Sequence, residues 1–152
     1  MMQQQHIIDT IKQKYPWVDI IFGTHNIHEF PRLVENVAAE KKKVTDVYYV
    51  GLPEHPGYEI NQKQSRGAGS MISFRTDTEE TARKVLERVK LISYAESLGG
   101  VESLLTYPMK QTHADVPVEV REALGVDEKL LRMSVGIENI DDLLEDLEQA
   151  FA

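Results

Sequence analysis

The sequence predicts a single α/β domain: a mixed sheet of about five strands with helices mainly on one face, and a βαβ unit near the N-terminus. Three observations lead there. Short apolar or alternating runs, "VDIIFG", "VYYVG", "MISFRTD" and "LLRMSVGIE", alternate with stretches of helical spacing. The 152 residues are the size of one domain and large enough to bury a core. There is no cysteine, so neither a disulfide framework nor a thiolate metal site holds the chain together.

Ile7, Ile8 and Ile11, and more loosely Tyr15, share a helical face, and Pro16 stops that helix, which spans about residues 2 to 15. "VDIIFG" is a short buried-type strand ending in glycine. Ile27, Phe30, Val34, Val37 and Ala38 form the next helical stripe, with regular helix starting near Phe30 because Pro31 is tolerated only in a first turn. Lys41, Lys42 and Lys43 suit its C-terminal end. "VYYVG" completes the βαβ unit of residues 18 to 51, whose strands should be parallel.

Residues 52 to 70, rich in Pro, Gly and polar side chains, read as a loop with one helical turn around 57 to 64. "MISFRTD" alternates as a half-buried strand does, and Asp77 with Glu80 resembles a capping box ahead of Ala82, Val85, Leu86 and Val89. "LISYAES" reads as a strand and "GGVESLLTYP" as a turn with a short helix. "PVEVREALG" reads as a helix between Pro117 and Gly125. In "LLRMSVGIE" the residues Leu131, Met133, Val135 and Ile137 share one face, leaving Arg132, Ser134 and Glu138 on the other. Ile140, Leu143, Leu144, Leu147 and Phe151 make a terminal amphipathic helix.

Against 25 acidic residues stand 17 Lys and Arg, and a formal charge of −8 repels phosphate backbones and anionic membranes. No nucleic-acid partner is expected. The start, "MMQQQHIIDTIKQKYPW", is polar and amphipathic, and no apolar run is long enough to span a bilayer, so a soluble, cytoplasmic protein is expected.

Four segments carry a resemblance: "VYYVGLPEHPGYEINQKQ", "GAGSMISF", "AESLGGVESLLTYPMKQTHADVP" and "LLRMSVGIENIDDLLEDLEQA". In order and spacing they resemble the C-terminal domain of the cystathionine γ-synthase, cystathionine γ-lyase and methionine γ-lyase family of pyridoxal-phosphate enzymes, from about residue 47 to the end. The resemblance implies that Arg132 pairs with a substrate α-carboxylate and that Ser97 lies beside substrate and cofactor. A guanidinium fork suits a carboxylate. It also implies that the Schiff-base lysine and the phosphate-holding residues belong to a larger, preceding domain, whose segments do not occur here. Lys90, Lys110 and Lys129 stand outside the family's lysine motif.

The stretch "YPWVDIIFGTHNIHEFPRLVENV" looks like part of the N-terminal domain of the tRNA methylthiotransferases, radical S-adenosylmethionine enzymes, over residues 1 to about 37. That family depends on cluster-binding cysteines, and none is present. The two resemblances together imply a chimera joined in the helix between about residues 36 and 47. They divide the domain into a flavodoxin-like fragment, 1–45, and a pyridoxal-family segment, 46–152. The function expected on this basis is that of an engineered or recombinant chimera, a folding design without catalytic activity and without cofactor. Two alternatives accompany it: a weak carboxylate-binding module using Arg132 and Ser97, and a self-associating domain, a homodimer through the face left uncovered by the missing large domain.

Other candidates are weaker. Arg132 without its pocket would be an ordinary strand arginine, and Ser97 a turn residue. His25 and His28, with His6, could face one metal, but no carboxylate or thiolate spacing completes a site, so none is expected. His55 and His113 stand alone, and the glycines of "RGAGS" precede a strand rather than the helix a phosphate loop requires.

Overall fold

The structure is a computed structural model and describes residues 43–67 and 69–152. The helix expected over 2 to 15, the "VDIIFG" strand, the helix beginning near Phe30, and His6, His25 and His28 therefore lie outside the described residues. Nine elements follow in chain order: β1 (Val44–Tyr48), α1 (Tyr58–Gln64), β2 (Met71–Thr76), α2 (Glu79–Arg88), β3 (Ser93–Tyr94), β4 (Leu104–Thr106), α3 (Val118–Ala123), β5 (Leu130–Ser134) and α4 (Ile140–Phe151). The strands form one sheet in the order β1-β2-β5-β4-β3. β3 and β4 run parallel, and every other neighbouring pair is antiparallel. The expected mixed five-stranded α/β sheet is thus present.

Burial explains the layering. In β2 the residues Ile72, Phe74 and Thr76 are buried while Met71, Ser73 and Arg75 are half-buried, the alternation of a strand with one core face. Leu131, Met133 and Val135 of the β5 segment and Leu105 of β4 join that face. Over it lie α2, through Ala82 and Val85, and α4, through Leu143, Leu147, Ala150 and Phe151. The Phe74 and Phe151 rings meet at 6.2 Å between centroids with a 53° tilt, a favourable aromatic arrangement. Neither α1 nor α3 buries a residue. No helix among the described residues is long and apolar enough to cross a membrane.

Several expected boundaries shift. The cap of α2 is Thr78, whose hydroxyl accepts the Thr81 N–H at 3.1 Å, rather than Asp77 of the expected capping box. Asp77 instead accepts the Thr78 N–H at 2.8 Å. β1 begins at Val44 and ends before Tyr49, because Tyr49 turns into the core and donates its hydroxyl to the Gly69 carbonyl at 3.1 Å. "LISYAES" yields only the two residues of β3, and the expected helix in "LLTYP" is the strand β4. Leu104, Leu105 and Thr106 are all buried, so β4 shows no alternation from which a strand could be told from a helical segment. Asn139 caps α4 by accepting the Asp141 N–H at 3.0 Å, and acidic residues fill its first turn as the helix dipole favours.

Tyr107, just beyond β4, donates its hydroxyl to the Glu128 carbonyl at 2.8 Å and is 3% exposed. Burial, with a contribution from Glu79, pushes this phenol up to about 12. A folded pKa above the unfolded value means that the neutral phenol stabilises the fold fully below about pH 10, and that this contribution is lost as pH rises towards 12. We expect an alkaline unfolding transition in that window that Tyr107→Phe moves to higher pH. Circular dichroism against pH reads it, and an unmoved transition would refute it.

Candidate functional site

The sheet face turned away from α2 and α4 is polar and ordered in rows by the strand register. Tyr48, Ser73, Arg132 and Thr106 make one row across β1, β2, β5 and β4. Two positions further along β5, Ser134 stands between Met71 and Leu104. Arg132 is therefore near the middle of the described sheet, flanked by the hydroxyl side chains of Ser73 and Thr106.

Arg132 is half-buried, and its Nε–H is buried without an acceptor. Among the described residues no hydrogen bond or ion pair reaches its guanidinium. Such a group costs free energy until an anion is supplied.

Arg75 provides the contrast one step diagonally across the same face. Its two Nη groups reach the Asp127 carboxylate and the Gly125 carbonyl. Burial, the largest single influence, would lower its pKa, but Asp127 and Tyr48 together more than offset it and the net shift is upward. The Nε of Arg75 is buried without an acceptor, as that of Arg132 is, so the two differ in their counter-ion: Arg75 has Asp127, and Arg132 has none among the described residues.

The segment from Ala95 to Ser103 crosses this face and is tied to it at successive points. The Ala95 N–H donates to the Leu105 carbonyl at 3.1 Å, and the Ala95 carbonyl accepts from the Thr106 hydroxyl at 2.9 Å. The Gly99 N–H donates to Ser134 Oγ at 2.8 Å, with Gly99 at φ +76°, a conformation that glycine adopts without strain. The Val101 carbonyl accepts the Ile137 N–H at 2.9 Å. Ser103 donates its N–H to Glu138 Oε1 at 2.6 Å and its hydroxyl to Oε2 at 2.7 Å, and that hydroxyl accepts the Gly136 N–H at 2.8 Å.

Ser97 lies between the Ala95 and Gly99 ties and is exposed. Its two flanking anchors attach beside Thr106, directly opposite Arg132, and at Ser134, two residues from Arg132. The segment that carries Ser97 is thus tied to the face on which Arg132 lies. Ser134, Ser103 and Glu138 were not singled out for this role, because partners 33 to 35 residues apart leave no local signal.

The remaining candidates are structural where described. His55 Nδ1 accepts the Gly57 N–H at 3.0 Å, and His113 Nδ1 lies 2.8 Å from the Thr112 hydroxyl. Among the described residues no group of three or more His, Asp or Glu side chains could hold a metal ion. An open cleft lined by Arg83, Leu86, Glu87, Tyr94, Tyr107 and Lys110 borders α2, away from Arg132.

The arrangement is a mixed-sheet domain in which the face turned away from α2 and α4 carries a half-buried arginine with an unpaired Nε, on the same strand as the serine that holds Gly99. The chain belongs to the family of Cys/Met metabolism PLP-dependent enzymes, whose model matches residues 32–152. It is 50% identical over 107 residues to the cystathionine beta-lyase of Bacillus subtilis, covering 70% of this chain and 27% of that protein. It is likewise 50% identical over 122 residues to the cystathionine gamma-lyase of Saccharomyces cerevisiae, covering 78% and 31%. Among solved structures it is similar to cystathionine gamma synthase from Xanthomonas oryzae pv. oryzae in complex with cystathionine, with a TM-score of 0.73, 38% identity, and 82% and 33% of the two chains covered. The chain thus spans roughly a quarter to a third of the length of these relatives.

These matches correct the functional expectation. A chimera joined between about residues 36 and 47 would break the family match at the join, yet the match runs unbroken from residue 32. It includes residues 32 to 37, which had been ascribed to the methylthiotransferases, and no comparison supports that second family. High identity to lyases from a bacterium and a yeast places the chain within one enzyme family rather than in a folding design assembled from two.

Proposed function

We propose that this chain supplies the substrate-carboxylate seat of a pyridoxal-phosphate-dependent enzyme acting on cystathionine or a closely related amino acid. The observation that carries this is the half-buried Arg132 guanidinium, with its unpaired Nε, on the central strand and on the face turned away from α2 and α4. A carboxylate received there takes two parallel N–H donors and relieves a buried donor in the same step. Ser97, on the loop above, is the second contact. Bound pyridoxal phosphate supplies an electron sink for the substrate's α-carbon.

The described residues fit the carboxylate of the substrate and not the cofactor itself. Their lysines, at positions 43, 63, 84, 90, 110 and 129, are all exposed or half-buried, so none offers the desolvated amine that a covalent anchor needs. The chain alone, given pyridoxal phosphate, is accordingly expected to leave cystathionine intact, and thiol release by pure protein would overturn that part.

The test of the seat is a titration of isotope-labelled chain with L-cystathionine, followed by amide and guanidinium NMR. Saturable shifts should centre on Arg132 and Ser97. Arg132→Ala should weaken binding by roughly 30-fold, the loss of a hydrogen-bonded charge, while the spectrum stays dispersed. Wild-type binding that Arg132→Ala leaves unchanged would defeat the assignment.

A further inference from the structure

We propose that Ser134 is a positioning residue for the carboxylate seat: its hydroxyl holds Gly99, and through it the Ser97 loop, over the Arg132 guanidinium. The proposal rests on the carboxylate assignment of Arg132 and adds the element that gives the seat its upper wall.

The geometry runs through the register. Arg132 and Ser134 are two apart on β5 and so share a face, with their Cα atoms roughly 6.6 Å apart along the strand. Thr106 is the direct cross-strand neighbour of Arg132, and its hydroxyl donates to the Ala95 carbonyl at 2.9 Å. The Gly99 N–H reaches Ser134 Oγ at 2.8 Å. The five residues from Ala95 to Gly99 therefore run from an anchor on the cross-strand neighbour of Arg132 to one two residues along its own strand, with Ser97 midway between them in the chain.

The two anchors differ in what they can do. Ala95 is also held by the backbone of β4, through the Leu105 carbonyl at 3.1 Å, so its place survives loss of the Thr106 hydroxyl. Gly99 has only the Ser134 oxygen among its described hydrogen-bond partners. Ser134 is 2% exposed, so water cannot readily replace it as acceptor. Losing that oxygen frees the loop on the Gly99 side while the sheet beneath is unaltered.

The test compares Ser134→Ala, Ser134→Cys and Ser134→Thr in the full chain, using L-cystathionine as the probe. Amide exchange at Gly99 and saturable shifts at Arg132 are read together. Alanine and cysteine, which lack a good acceptor oxygen, should speed Gly99 exchange and weaken binding about fivefold, and threonine, which keeps the hydroxyl, should restore both. A purely structural role would lower stability without this oxygen-dependent rescue of affinity. Released Gly99 exchange in Ser134→Ala with wild-type affinity overturns the proposal alone. Absence of Arg132-dependent shifts in the wild-type chain defeats the carboxylate seat, and Ser134 positioning with it.

Discussion

Replacing Gly136 with alanine is expected to destabilise the domain by at least about 3 kcal/mol, because the added methyl meets backbone that cannot yield. A Cβ built there collides with the Val101 carbonyl oxygen and stands 2.6 Å from the Glu102 carbonyl carbon and 2.5 Å from Glu138 Oε2. Val101 is itself held by the Ile137 N–H at 2.9 Å, and the Gly136 N–H is committed to Ser103 Oγ at 2.8 Å. Relief requires breaking the clamp that joins the end of β5 to the start of β4. Gly67 is the control, since its added Cβ finds no atom within 4 Å and φ is not positive. Urea unfolding of both variants decides it, and a Gly136→Ala midpoint close to that of Gly67→Ala would refute the clamp.

Asp146→Ala should cost about 2 kcal/mol, through three backbone donors losing their acceptor, of which the Ile92 N–H is buried. The Asp146 carboxylate is buried and accepts the Lys90 N–H at 2.8 and 3.1 Å and the Leu91 and Ile92 N–H groups at 2.9 Å each. Gln149 Nε2 adds a further donor at 3.0 Å. One side chain on α4 therefore closes the exit of α2 and fixes the entry into β3. Asp146→Asn should lose less, since one oxygen can still accept while the new amide faces donors. Hydrogen exchange at Leu91 and Ile92 should accelerate in the alanine variant together with a lower unfolding midpoint. Unchanged exchange at those two amides would contradict the account.

What the sequence reveals depends on whether one face or both faces of an element are buried. The α4 stripe of Leu143, Leu147 and Phe151 and the β2 alternation of Ile72 and Phe74 are legible because polar residues mark the opposite side. β4 is not legible, because its three residues are all buried. Asp146 is hidden for a different reason: it stands in "DDLLEDLEQ" among acids of which most are exposed or half-buried, and its three donors lie more than fifty residues away. Arg132 and Ser97 could be singled out only through family resemblance, since nothing local separates a half-buried strand arginine with an unpaired donor from an exposed one. The second resemblance misled because a strand followed by a helical stripe is common to many α/β proteins. A short stretch such as "YPWVDIIFGTHNIHEFPRLVENV" carries little beyond that pattern.

The register shift between Val44 and Asp46 in β1 has a consequence for how this sheet meets other chains. A bulge twists the outer strand away from flatness, and the exposed carboxylate of Asp46 sits at that bend. At the opposite border β3 presents only two residues of regular backbone. Both borders of the described sheet are therefore poor templates for an incoming strand, and ribbon-like polymerisation is discouraged at each side.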